Sequence, residues 1–169
     1  MKCLPALIAL ALLPLAAGAA PPATPPPTTH HAAMSSIPAH VMLQATQMQW
    51  GDAPPSLEKD AQAVVLSGNP GAPGPYALRL KTPAGYKVAM HWHPTDEQVT
   101  VIQGDLTLST DDGNPAQHLD AGGYALMPAK MHHAASMSGG TIVQISGMGP
   151  FEINYVNPKD DPRQRAAAK

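Results

Sequence analysis

Turn-forming clusters punctuate this chain at short intervals, and they constrain its fold more than any other feature. Asn69-Pro70-Gly71, Pro73-Gly74-Pro75, Pro83-Ala84-Gly85, Asp111-Asp112-Gly113-Asn114 and Gly139-Gly140 each join residues that preset φ or tolerate a positive one. Between them lie short runs rich in Val, Ile, Leu, Thr and Tyr. The candidate strands are 41–48, 63–67, 76–81, 87–93, 97–103, 106–110, 117–119, 124–128, 132–137, 141–146 and 151–156. No segment beyond the N-terminal region holds a helical period for three turns. Regularly spaced short strands predict an all-β domain, closed as a sandwich or barrel.

That domain does not begin at Met1. Lys2 precedes an apolar run over 3–15, and Ala17-Gly18-Ala19 supplies small residues for cleavage, the layout of a secretory signal peptide over 1–19. A retained membrane anchor is the rival reading, because residues 3–20 carry no charge. Pro5, Pro14 and the small-residue end favour cleavage, so no stable membrane anchor is expected afterwards and the protein is expected to be periplasmic or secreted. Residues 20–36 contain PPATPPPTT and read as a Pro-rich disordered linker. The β domain is expected over 37–157, and 158–169 (PKDDPRQRAAAK) is expected to be a charged flexible tail.

Cleavage would remove Cys3, the only cysteine, leaving a chain without disulfides or thiolate ligands. It would also leave 9 Lys+Arg against 12 Asp+Glu, a net charge of −3. No basic stripe is present, which argues against a nucleic-acid partner.

The chemistry gathers in two stretches. His91 and His93 are two apart, so on a strand both imidazoles project from one face with Trp92 on the other. Pro94-Thr95-Asp96 breaks that strand, and Glu97 opens the next, where a hairpin would return it beside the two histidines. His132 and His133 lie remote in sequence and face opposite ways on a strand. Three imidazoles and a carboxylate suit one divalent transition metal: Fe, Mn, Zn, Ni or Cu.

At these residues the chain resembles the cupin superfamily. Gly85, His91, His93, Glu97 and Gly104 match every specified position of the first cupin motif, G-x5-H-x-H-x3,4-E-x6-G. Gly122, Pro128 and His133 match the second, in which Lys130 replaces a glycine and Met137 an asparagine. The Lys130 replacement puts the turn geometry in question more than the ligand. The resemblance implies a conical β-barrel or jelly roll with a metal centre of His91, His93, Glu97 and His133, often in a homodimer. Spacing from Pro128 selects His133 over His132. His118, His40, Trp50 and Trp92 read as surface or packing residues.

Val99 and Val101 share the face of Glu97, and Leu78 and Leu80 share a face opposite to Arg79 and Lys81. If Glu97 faces inward, an apolar wall surrounds the metal and no cation awaits an anionic substrate. Tyr76, Tyr86, Tyr124 and Tyr155 remain candidate donors near the mouth. The expected function is a metal-dependent, dioxygenase-like enzyme acting on a small apolar or aromatic chelating substrate. The alternative is a non-catalytic module that binds a metal or a small ligand. A second acid or base in the pocket would favour the enzyme, and a pocket closed by side chains would favour the module.

Overall fold

Two antiparallel sheets face each other in the computed structural model, which describes residues 40–167. The strands are β1 (Gly51–Asp52), β2 (Gln62–Ser67), β3 (Gly74–Thr82), β4 (Lys87–Trp92), β5 (Glu97–Gln103), β6 (Asp105–Thr110), β7 (Gln117–Asp120), β8 (Tyr124–Met127), β9 (His133–Ser136), β10 (Thr141–Gly149) and β11 (Asn154–Tyr155). The larger sheet runs β1-β2-β3-β10-β5-β8, the smaller β11-β4-β9-β6-β7. The described residues lie in one compact unit, and the architecture is a jelly roll, all-β as the turn punctuation predicts and of the kind the family resemblance implies.

The inward faces follow from alternation. In the large sheet, Val143 stands opposite both Leu80 and Val101, and Ile145 opposite both Leu78 and Val99. Leu106 and Leu108 meet them from β6 of the small sheet, and Val88 from β4; all are buried. Burying each such side chain stabilises the fold by about 1.5–3 kcal/mol, enough for the core to close without a disulfide. Gly104 joins β5 to β6 with φ +77°, and a Cβ there would fall 2.6 Å from Thr141 Oγ1 and 2.7 Å from Gly140 O. Only glycine fits a turn that is both left-handed and that crowded.

Three local expectations are corrected. Residues 41–48 form no strand: 41–47 are exposed, and the segment contains only a 3-10 turn, Ala45–Gln47, which Gln44 and Gln47 close through reciprocal side-chain and backbone hydrogen bonds. The 151–156 candidate pairs only over Asn154–Tyr155, because residues 151–153 leave the sheet to cover the barrel interior.

The segment beyond residue 157, expected to be a flexible tail, is folded as far as it is described. A 3-10 turn, Pro158–Asp160, leads into the helix α1 (Pro162–Ala167). Its start has a physical cause. Asp161 accepts from the Arg163 backbone N–H at 2.9 Å and pairs with the Arg163 guanidinium, and Pro162 occupies the first helical position. Arg163 also donates to Ile153 O at 3.0 Å, and Arg165 pairs with Glu58, tying the helix to the barrel. The signal peptide and Pro-rich linker expected over 1–36 lie outside the described residues.

Candidate metal centre

A β-bulge turns the two strand histidines inward. In β4 paired with β9, Val88 stands opposite Ala135 and His91 opposite His133, with the register shifting between them. Two residues on β4, Ala89 and Met90, therefore stand against one on β9, Ala134. Without the extra residue, alternation would send His91 outward whenever Val88 points in. The bulge gives both the same face, the re-aiming for which bulges serve. Across the barrel, Glu97 opens β5, paired with Met127 on one side and Gly147 on the other. His91, His93, Glu97 and His133 are all buried and converge.

Each imidazole is anchored from behind. The Nδ1 of His91 lies 2.7 Å from Ala89 O, that of His93 2.6 Å from Glu152 O, and that of His133 3.1 Å from Met131 O. A carbonyl only accepts, so each Nδ1 carries a proton, and in the neutral ring Nε2 presents its lone pair forward. One ligand atom from each of the three histidines lies within 4.8 Å of the others. The Glu97 Oε2 sits 3.3 Å from His133 Nε2 and 3.4 Å from His93 Nε2. Among the described residues, the buried His93 Nε2 finds no hydrogen-bond partner. Unsatisfied buried nitrogen is costly in a native fold, and a metal ion would satisfy it. Neutral imidazoles, each steadied by a backbone carbonyl and set beside a carboxylate, fit a divalent transition metal.

The electrostatics follow from burial. Burial, with His133 adding repulsion, lowers the pKa of His91 to about 3. Burial opposes protonation of His93 too, but the Glu97 carboxylate beside it outweighs burial and raises its pKa. Burial alone would raise Glu97; its contacts with His133 and His93 instead hold it well below the usual carboxylate range. The centre thus keeps one ionised carboxylate in an apolar interior.

The four side chains open onto a chamber of about 40 Å³. Its remaining wall is apolar, formed by residues such as Leu80, Val99, Leu108, Val143, Ile145 and Ile153, with Leu57 over it. Arg79 and Lys81 point away: Arg79 donates to Gln144 Oε1 and Lys81 lies 5.0 Å over the Trp50 ring. Among the described residues, no cation and no second acid or base lines the chamber.

His132 does not join the site; its Nδ1 lies 2.6 Å from Asp111 Oδ2. His118 and His40 are exposed and Trp50 and Trp92 half-buried. Lys130 keeps the turn that a glycine would make, at φ +66°, with its N–H donating to His93 O at 2.8 Å.

The tyrosines separate by role. Tyr86 and Tyr155 donate to Glu58 O and Ser56 O, each at 2.8 Å, holding Leu57 between them, and Tyr124 is exposed. Tyr76 alone lies in the layer of Glu97, across Gly147, whose missing side chain leaves room for the Tyr76 hydroxyl. Burial and the Glu97 charge push its pKa up.

Phe151 escaped sequence reasoning. Its ring stacks on His93 at 5.3 Å and 20° and lines the chamber. The one signal that could have found it was its rarity, since it is the only phenylalanine in the chain.

A jelly roll with converging histidines and a carboxylate inside is the cupin architecture, and solved structures show the same fold. The polyketide cyclase RemF from Streptomyces resistomycificus aligns with a TM-score of 0.61 at 14% identity, covering 75% of this chain and 92% of its own. A putative acetylacetone dioxygenase from Methylibium petroleiphilum PM1 aligns at 0.56 and 19% identity, covering 77% and 95%. An RmlC-like cupin from Shewanella frigidimarina aligns at 0.51 and 18% identity, covering 63% and 87%. No curated protein matches the chain in sequence. The chain belongs to the DUF4437 family, described as a domain of unknown function, whose pattern matches residues 30–154.

Proposed function

We propose that this protein is an exported cupin that holds one divalent transition metal on His91, His93, Glu97 and His133 and acts as a dioxygenase-like oxidoreductase on a small, uncharged chelating substrate. One observation carries the reading: the four side chains face an apolar chamber and, among the described residues, no further protein ligand caps them. A structural metal site closes its coordination, whereas a catalytic one keeps a position for water or substrate. The bound metal would supply Lewis acidity or a place to hold dioxygen beside substrate. The chain's own part is to orient three neutral imidazoles, keep Glu97 ionised and exclude bulk water. The absence of a cation among the described lining residues argues against an anionic substrate. Acetylacetone, after which the putative Methylibium dioxygenase is named, is uncharged, in keeping with a wall that offers no cation among its described residues.

The second reading is a non-catalytic metal-binding module. It is favoured by the chamber's small size and by the absence of a second acid or base among the described residues of its wall. Metal analysis of protein purified from its native compartment, followed by oxygen uptake across a panel of small uncharged non-aromatic chelating compounds, separates the two. Metal-dependent uptake that is lost in His91→Ala supports the enzyme. Stoichiometric metal with no uptake on any panel member supports the module.

Export and homodimerisation belong to the same proposal. Lys2, the apolar run and Ala17-Gly18-Ala19 support export; intact Met1 on a membrane-bound protein would refute it. Ile102, Tyr124 and Leu126, exposed on the outer face of adjacent strands β5 and β8, support a dimer. Light scattering coupled to gel filtration tests it, and a monomer at micromolar concentration would refute it.

A further inference from the structure

We infer that Phe151 is the residue that sets the size of the molecule this centre admits, an inference that rests on the metal-binding reading above. The chamber wall supplies the first argument. Every large side chain in it is buried except Phe151, which lines the chamber and also reaches solvent. Phe151 therefore stands at the mouth. Its position is held from three sides. The ring stacks on His93 at 5.3 Å, it lies 5.7 Å from the Tyr76 ring at 50°, and the Phe151 N–H donates to Pro70 O at 2.6 Å. The next residue supplies the carbonyl that orients His93. One short segment thus both aims a candidate ligand and covers the space before it.

Outside the barrel, Tyr76 lines a groove of about 650 Å³ together with Thr95, Asp96, Gln98 and Gly147. Inside, Phe151 lines the chamber of about 40 Å³. The touching rings of Tyr76 and Phe151 separate the two spaces. A buried cavity of roughly 150 Å³ holds benzene, and about 10–15 Å³ suffices for water. With Phe151 in place, the chamber admits water, dioxygen or azide and excludes an aromatic ring. Without the ring, groove and chamber join, and a ring-sized uncharged ligand reaches the centre.

The test compares wild type, Phe151→Ala, Phe151→Leu and Phe151→Trp. Cobalt(II) content is measured first, because no proposed ligand is changed and all four proteins should load equally. Azide and 4-phenylimidazole are then titrated into the cobalt protein and followed by its visible spectrum, and benzene is titrated into the metal-free protein and followed by NMR. The expected result is azide affinity within about threefold across the set. 4-Phenylimidazole and benzene should bind at least tenfold tighter to Phe151→Ala than to wild type, with Phe151→Leu between them and Phe151→Trp restoring exclusion. A general loosening of the fold would move azide and 4-phenylimidazole together and would overturn the inference. So would wild type binding 4-phenylimidazole as well as Phe151→Ala does. Failure of every protein to load cobalt would overturn the metal-binding reading itself, and the inference with it. Should Phe151→Ala not fold, the graded response of Phe151→Leu and Phe151→Trp decides.

Discussion

At the scale of the residue, the centre works by burying groups that water would otherwise level. His91, with its pKa lowered to about 3, stays neutral where the same residue in the unfolded chain titrates near ~6.5. Between those values the unfolded chain binds the extra proton, so stability falls as pH drops through that window. Glu97 acts in the same sense but lower, its contribution being lost only as pH falls below the usual carboxylate range. His93 acts oppositely: its raised pKa contributes stability that is full below ~6.5 and lost as pH climbs through the folded value. Urea midpoints of the metal-free protein should therefore decline from pH 6.5 to 5, and His91→Leu should flatten that decline. An unchanged slope in His91→Leu would contradict the assignment.

The four proposed ligands make a second prediction at this scale. His91→Ala, His93→Ala or His133→Ala should each lower metal affinity roughly tenfold or more, since losing even a group that only steadies a ligand costs about 10–100-fold. Glu97→Gln should weaken binding through lost charge. His132→Ala should leave occupancy unchanged, because its imidazole faces Asp111 outside the barrel. Metal content across this set decides the matter, and equal loss in His132→Ala and His133→Ala would refute the ligand assignment. Lys130 offers a third. A lysine at φ +66° is held in a left-handed conformation that costs a side-chain residue about 1–2 kcal/mol. Lys130→Gly removes that strain and adds about 0.5–1 kcal/mol of unfolded-state entropy. The net expectation is a small gain in the urea midpoint without change in metal content.

At the scale of the element, the C-terminal segment shows how local chemistry overrides composition. Residues 158–169 read as a frayed tail because they are charged. Asp161 nonetheless caps α1, and Arg163 reaches Ile153 O on the segment that carries Glu152 and Phe151. Asp161→Ala should cost about 1 kcal/mol and speed hydrogen exchange over residues 158–165. Because Arg163 braces the segment whose carbonyl orients His93, exchange at Ile153 should quicken as well. Protection that stays unchanged at both places would show that the cap does not hold the segment.

At the scale of the whole molecule, the core and the centre are separable. The large sheet buries Leu78, Leu80, Val99, Val101, Val143 and Ile145 whatever ion is bound. Chelation should therefore leave the far-UV circular dichroism unchanged while lowering Tm by the linkage that any native-state ligand provides. Unfolding on chelation, as in a zinc finger, would refute this.

What the sequence determined by itself was whatever depends on neighbours along the chain. Alternation and turn residues produced the β class, most strand positions and the inward set of β3 and β5, because those signals have periods of a few residues. The pairing of His91 with His93 on one face was legible for the same reason, and motif spacing singled out Glu97 and His133. Which way that face points was not legible. A single extra residue in β4, seen only in its register against β9, decides that His91 enters the barrel. The strand expected over 41–48 failed because, among the described residues, no strand pairs with it, and a β run without a partner has no ladder to join. Tertiary structure alone placed Phe151 over His93, Leu57 under two tyrosines and Tyr76 in the layer of Glu97. Each of those contacts joins residues far apart in the chain, and only closing the barrel brings them into reach.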